Sequence, residues 1–149
     1  MKITGPDRFK IIIKSPKTFE IIPPEKDGKV HGKAAENKRP KLYIISHNKK
    51  PIYVGITKQN IRNRLRMGFQ ASGKGGYHGY AWRNFLKEVN MDIWYDEKGK
   101  TLSDIETIEA ELVFHIRNHH KQWPEYQTEI HFHQSSEQHI KEAKRIFNF

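Results

Sequence analysis

The chain has 149 residues and no cysteine, which excludes disulfides, thiolate catalysis and cysteine-ligated zinc. Its net charge of +10 predicts a positive surface field that favours polyanions, with nucleic acid the first candidate and an anionic membrane the second. The longest apolar runs, such as Ile11-Ile12-Ile13, are far too short to span a bilayer, and Met1-Lys-Ile-Thr-Gly-Pro6 lacks the apolar stretch of a secretory signal; a soluble, cytoplasmic protein with no membrane partner is expected.

Apolar residues at 9, 11 and 13 mark a first strand, Phe19 to Ile22 is a second β-like run, and Pro23-Pro24 stops it. Residues 25–40 are polar, basic and turn-rich and read as a loop. Lys41 to Ile56 reads as a hairpin. A turn centred on Asn48, with a five-residue connection from Ser46 to Lys50, would set Tyr43 opposite Tyr53 and Ile44 opposite Ile52. Leu42, Ile44, Ile52 and Val54 then share a core face, and Tyr43, Ile45, Tyr53 and Gly55 share the other. Two phenols beside a glycine suit a surface that something must approach closely.

A helix follows, capped near Asn60, with Ile61, Leu65 and Phe69 as its buried stripe. Gln70 to Gly79 is a glycine-rich loop, and Trp82, Phe85 and Val89 suggest a helix over about 79–89. Met91 to Tyr95 reads as a strand and Asp96 to Gly99 as a turn. Ser103-x-x-Glu106 is a capping-box pattern opening a helix to about His120, which Trp123-Pro124 ends. Thr128 to His133 reads as a last strand, and Ser135-x-x-Gln138 opens a terminal helix packed through Ile140, Ala143 and Phe147. The fold class is α+β, in one compact domain.

On the helix over 103–120, Ile105, Ile108, Leu112 and Ile116 define the buried stripe, and Glu109 points the same way. A carboxylate on an apolar face is costly unless paired or bound to a cation. A salt bridge to an arginine such as Arg64 would satisfy it, and so would a divalent metal; beside a tyrosine pair and a basic helix the metal is the better reading. One carboxylate with several waters suits magnesium. His115 and His119 are four apart, and His131 and His133 share a strand face, but no third ligand has zinc-site spacing. Gly73 to Gly76 is not a P-loop, although Lys74 in it suits a DNA backbone. Trp82, Trp94 and Trp123 read as core, with base stacking open to one left exposed.

The order Tyr43, Tyr53-Val54-Gly55, Arg64-Leu65, Glu109-x-x-Leu112-Val113 and Pro124-x-Tyr126 resembles the GIY-YIG nuclease family over residues 41 to about 127. The resemblance implies a small three-stranded antiparallel sheet flanked by helices. Here it would carry an N-terminal β-like extension and basic loop (1–40), a core (41–133) and a C-terminal helix (134–149). It further implies an endonuclease that hydrolyses DNA phosphodiesters with one divalent ion, Mg2+ with Mn2+ able to substitute, leaving 5′-phosphate and 3′-hydroxyl ends. Tyr43 and Tyr53 would bind and activate the attacking water, Arg64 would hold the scissile phosphate, and Glu109 would hold the metal. Gly55, Arg62, Lys74, His78 and Gln127 would contact substrate.

The chain departs from the family in places. Lys41-Leu42-Tyr43 lacks the usual glycine, Arg62 competes with Arg64 for the phosphate, and Gly68 stands where a histidine or tyrosine is common, with Tyr77 or His78 as substitutes. Gln127 replaces the usual asparagine. Additions at both ends of the core suit a restriction-type enzyme, and a symmetric cutter calls for a homodimer. The alternatives are a non-catalytic nucleic-acid-binding module on the same fold and a protein–protein adaptor.

Overall fold

The computed structural model describes residues 1–24, 32–99, 101–127 and 135–149. The strand expected over 128–133, with His131 and His133, lies outside the described residues, as does much of the loop expected from residue 25. The first strand, β1 (Ile3–Ser15), buries Phe9, Ile11 and Ile13 on one face and exposes Arg8, Lys10 and Lys14 on the other, the period-2 pattern of a half-covered strand. It pairs with β2 (Thr18–Ile22), Ile11 lying opposite Ile21, and with β5 (Glu88–Asp96), Phe9 lying opposite Met91. β3 (Lys41–His47) and β4 (Lys50–Thr57) complete one antiparallel sheet in the order β2-β1-β5-β3-β4. The fold is α+β as expected, with five strands in place of three. The N-terminal extension is the difference: β1 covers the hydrogen-bonding edge that β5 would otherwise expose.

The β3–β4 register departs from the sequence reading by two residues. Tyr43 lies opposite Gly55, Ile44 opposite Val54 and Ile45 opposite Tyr53. The connection is the two-residue turn Asn48-Lys49, both residues at positive φ (51° and 64°), which matches the right-handed twist of the strands it joins. An irregularity between Ile45 and Ser46 shifts the pairing, so Ile52 joins the cluster of Tyr43 and Ile45 instead of the cluster of Leu42 and Val54.

Both faces of the sheet are covered. On one, α1 (Ile61–Gln70) buries Ile61, Leu65 and Phe69 against Tyr43, Ile45, Met91 and Ile93, and the Asn60 side chain accepts from the Arg62 N–H to cap it. Tyr80 and Trp82 pack into the same cluster from a short 3-10 turn, Ala81–Asn84. That turn replaces the helix expected over 79–89: Val89 belongs to β5, and Phe85 is 71% exposed. Its spacing from Trp82 imitates a helical stripe that does not exist.

On the other face, α2 (Ser103–His120) and α3 (Glu137–Phe147) bury Ile105, Ile108, Leu112, Ile116, Ala143 and Ile146 against Leu42, Val54 and Trp94. The capping box expected at Ser103 does not form: Leu102 is the N-cap and gives no side-chain bond. In α3 the box forms one residue later than expected, between Ser136 and His139. No helix among the described residues is long and apolar enough to cross a membrane.

Candidate active site

Where the two layers meet at the β4 edge, a cleft of about 380 Å³ opens. It is lined by Tyr53, Val54, Gly55 and Ile56 of β4, Arg64 of α1, the Gly76–Tyr80 stretch, Glu109 of α2, and Gln127. The structure thus brings Tyr53, Gly55, Arg64, His78, Glu109 and Gln127 to one site from five separate parts of the chain. Arg62, half-buried on α1, and Lys74, exposed on a 3-10 turn, do not line it. Of the two arginines, Arg64 lines the cleft and Arg62 does not.

Tyr43 stands directly behind the cleft wall and is fully buried. The hairpin register explains Gly55 at the same time. A Cβ on Gly55 would sit 2.4 Å from Tyr43 Cζ and 2.8 Å from Tyr53 Cε1, so the missing side chain makes room for the protein's own phenols. The close approach expected at this glycine is made first by Tyr43.

A third phenol belongs to the group. Tyr80 Oη lies 2.8 Å from Tyr43 Oη, and its ring meets that of Tyr53 edge-on at 5.5 Å. The Arg64 guanidinium lies over the Tyr80 ring at 4.9 Å and donates to Tyr77 Oη at 2.7 Å. Burial pushes the Tyr43, Tyr53 and Tyr80 phenols above their ordinary value of 10, with Arg64 opposing the shift in each case. Burial works against the charge of Arg64 in turn, and its pKa is nevertheless raised by the surrounding phenols, Tyr43 first.

Glu109 is 4% exposed, on the apolar stripe of α2, and reaches the cleft from the opposite layer. Gln127 lines the cleft with its amide bonded to the β4 backbone. Its Oε1 accepts from the Val54 N–H at 2.8 Å and its Nε2 donates to the Val54 carbonyl at 3.0 Å, while the Tyr126 N–H donates to the Ile52 carbonyl at 2.9 Å. These residues occupy the outer hydrogen-bonding positions of β4.

The loop carrying Tyr77, His78 and Tyr80 is held by Arg83, which sequence reasoning missed. Its guanidinium donates to the carbonyls of Gly68 (2.6 Å), His78 (2.8 Å), Ala71 (2.9 Å) and Tyr80 (3.4 Å). Gly79, at φ +70°, has no room for a Cβ against the Gly68 carbonyl. Tyr80 was also missed; Gly68 inside a helix was its one signal, since a Cβ there would lie 2.1 Å from the Tyr80 ring.

At the first motif, where the family's glycine is lacking, Lys41 is buried, and its Nζ donates to the carbonyls of Glu36 (2.6 Å), Arg39 (3.0 Å) and Lys58 (3.4 Å). Burial lowers its pKa to about 8. Of the other sequence candidates, His115 and His119 pack on Phe147. Trp82 and Trp94 are core, and Trp123 is 43% exposed beneath Arg117. Among the described residues no three histidines or carboxylates converge as a metal-binding group.

The model of the GIY-YIG catalytic domain matches residues 40–147 of the chain. No curated protein and no solved structure matches it.

Proposed function

The chain belongs to the GIY-YIG catalytic-domain family, a nuclease family, and from that premise we propose that it is a divalent-metal-dependent endonuclease hydrolysing DNA phosphodiester bonds. The observation that carries this reading is the cleft itself, in which a tyrosine from β4, an arginine from α1 and a buried carboxylate from α2 face one space. The carboxylate in its lining, Glu109, suits a hard cation that keeps most of its own waters, as Mg2+ prefers and Mn2+ accepts. Glu109 would hold that ion, which supplies Lewis-acid polarisation of the phosphate when bound.

Arg64 binds the scissile phosphate. Its planar fork suits two phosphate oxygens, and its guanidinium is already seated over the Tyr80 ring and against Tyr77 Oη. Tyr53 orients the attacking water from the cleft wall, and Tyr43 supports it from behind through the phenol group. Gly55 keeps the wall thin enough for those phenols to be near the reacting atoms. His78 lies on the rim and suits a contact to the leaving strand, and Arg62 and Lys74 lie outside the cleft, where they suit flanking phosphates. Gln127 contributes by fixing β4 from its outer side.

A restriction-type role, and a homodimer for double-strand cutting, are finer parts of the same proposal. They draw on the β1–β2 hairpin, which is built onto the matched family region. The test is conversion of supercoiled plasmid to nicked, linear or fragmented DNA in Mg2+, beside EDTA and Glu109→Ala controls. Cutting that disappears in both controls supports the reading, and discrete fragments support sequence specificity. Tight DNA binding that weakens steeply with salt, without cutting in Mg2+ or Mn2+, would replace it with the non-catalytic binding module.

A further inference from the structure

Tyr43 and Tyr53 come from paired strands, as the motif spacing requires, but the structure adds a phenol that no motif announces. Tyr80 is 1% exposed and still lines the cleft, whereas Tyr43, its hydrogen-bond partner, does not. Its ring is held on several sides. Trp82 stacks on it at 4.9 Å, Phe69 meets it edge-on at 6.4 Å, and Gly68 gives up a side chain to admit it. The guanidinium of Arg64 rests over the ring. One side chain therefore touches both the buried phenol and the phosphate-binding cation.

We propose that Tyr80 is a positioning residue for phosphodiester cleavage: its hydroxyl orients Tyr43, and its ring seats Arg64, so that the water-activating phenols and the phosphate clamp share a single support. The inference rests on the nuclease reading and adds a residue to its machinery. Two phenols sharing a hydrogen bond ionise as a pair, because the hydroxyl that remains donates to the oxygen that has lost its proton. Without the second hydroxyl, that stabilisation is lost in a pocket where burial already opposes ionisation. Misdirected reacting groups cost rate even when substrate still binds.

Tyr80→Phe is the deciding variant. It keeps the ring, and with it the contacts to Arg64, Trp82, Phe69 and Gly68, and removes only the hydroxyl. The expected result is a fall in kcat of about 10- to 100-fold with KM for DNA little changed, and a rising limb of kcat against pH displaced to higher pH. A residue that merely fills space would leave the position of that limb where it is. Tyr95→Phe serves as the control for loss of a buried hydroxyl: Tyr95 donates to Asp7 at 2.7 Å and does not line the cleft, so its removal leaves kcat and the pH profile unchanged. A cutting wild type whose Tyr80→Phe variant keeps kcat within about twofold and an unshifted profile overturns the inference alone. A wild type that cuts no DNA with any divalent ion overturns the nuclease reading, and this inference with it.

Discussion

At the scale of single residues, the site depends on space as much as on charge. Gly55 is the clearest case, because an added methyl would collide with two phenols whose own positions are fixed by the core. Gly55→Ala is expected to cost about 1–3 kcal/mol of stability by overpacking, read as a lower urea midpoint with unchanged slope, and to lower kcat as Tyr43 and Tyr53 are pushed apart. Arg64→Lys tests charge against shape. Lysine keeps the positive charge but neither spans two phosphate oxygens nor spreads over the Tyr80 ring, so kcat should fall about 100-fold while affinity at low salt falls much less. Weaker affinity with kcat unchanged would mean that Arg64 contributes only to binding. Glu109 was legible in the sequence because a carboxylate interrupted a clean apolar stripe. Tyr80 and Arg83 were not, since both lie in a stretch whose glycines conceal any period, and their partners are backbone carbonyls and phenols distant in sequence.

At the scale of elements, long periodic segments were legible and short irregular ones were not. The 18 residues of α2 and the alternation in β1 announce themselves, because each presents several turns or repeats of one pattern. The β3–β4 register is decided by two consecutive residues at positive φ, and Asn48-Lys49 carries no glycine to signal such a turn. The shifted register changes which residues face each other and moves Ile52 from the Leu42 and Val54 face to the Tyr43 and Ile45 face. The loop from residue 71 to 80 has little apolar anchoring and is organised by one buried guanidinium. Arg83→Leu should leave those carbonyls without their donor and release the loop. We expect cleavage by trypsin after Lys74 at protease levels that leave the wild type intact, together with loss of nuclease activity. A loop still resistant in the variant would show that Gly79 and the Tyr80 ring suffice to hold it.

For the whole molecule, the buried phenols set a limit on the alkaline side. Their native pKa values lie above the unfolded value of about 10, so the unfolded chain releases those protons first and holds fewer of them above that pH. The stability they contribute is complete below pH 10 and is lost as pH rises from there through their native values, at about 1.4 kcal/mol per pH unit for each phenol. Lys41 acts in the opposite sense over a narrower window. Its pKa falls to about 8 in the native state, so between 8 and its unfolded value of 10.5 stability rises with pH. Urea denaturation followed from pH 8 to 11 should therefore show little change or a slight rise first and a steep fall above 10. A fall beginning below pH 9 would place the sensitive group elsewhere.

Tyr126 and Gln127 take up the outward hydrogen-bonding groups of Ile52 and Val54, so that part of the β4 edge is already engaged. A second copy extending this sheet from its other edge would join at β2. Two such copies would form a continuous ribbon of ten strands with a cutting centre at each end, nine strand spacings apart, or about 43 Å at 4.8 Å per spacing. Along B-form DNA that corresponds to roughly 13 base pairs at 3.4 Å each, more than one helical turn. Cuts staggered by only a few nucleotides would accordingly require copies that meet through their helices or loops, and the length of the overhang would report which surface joins them.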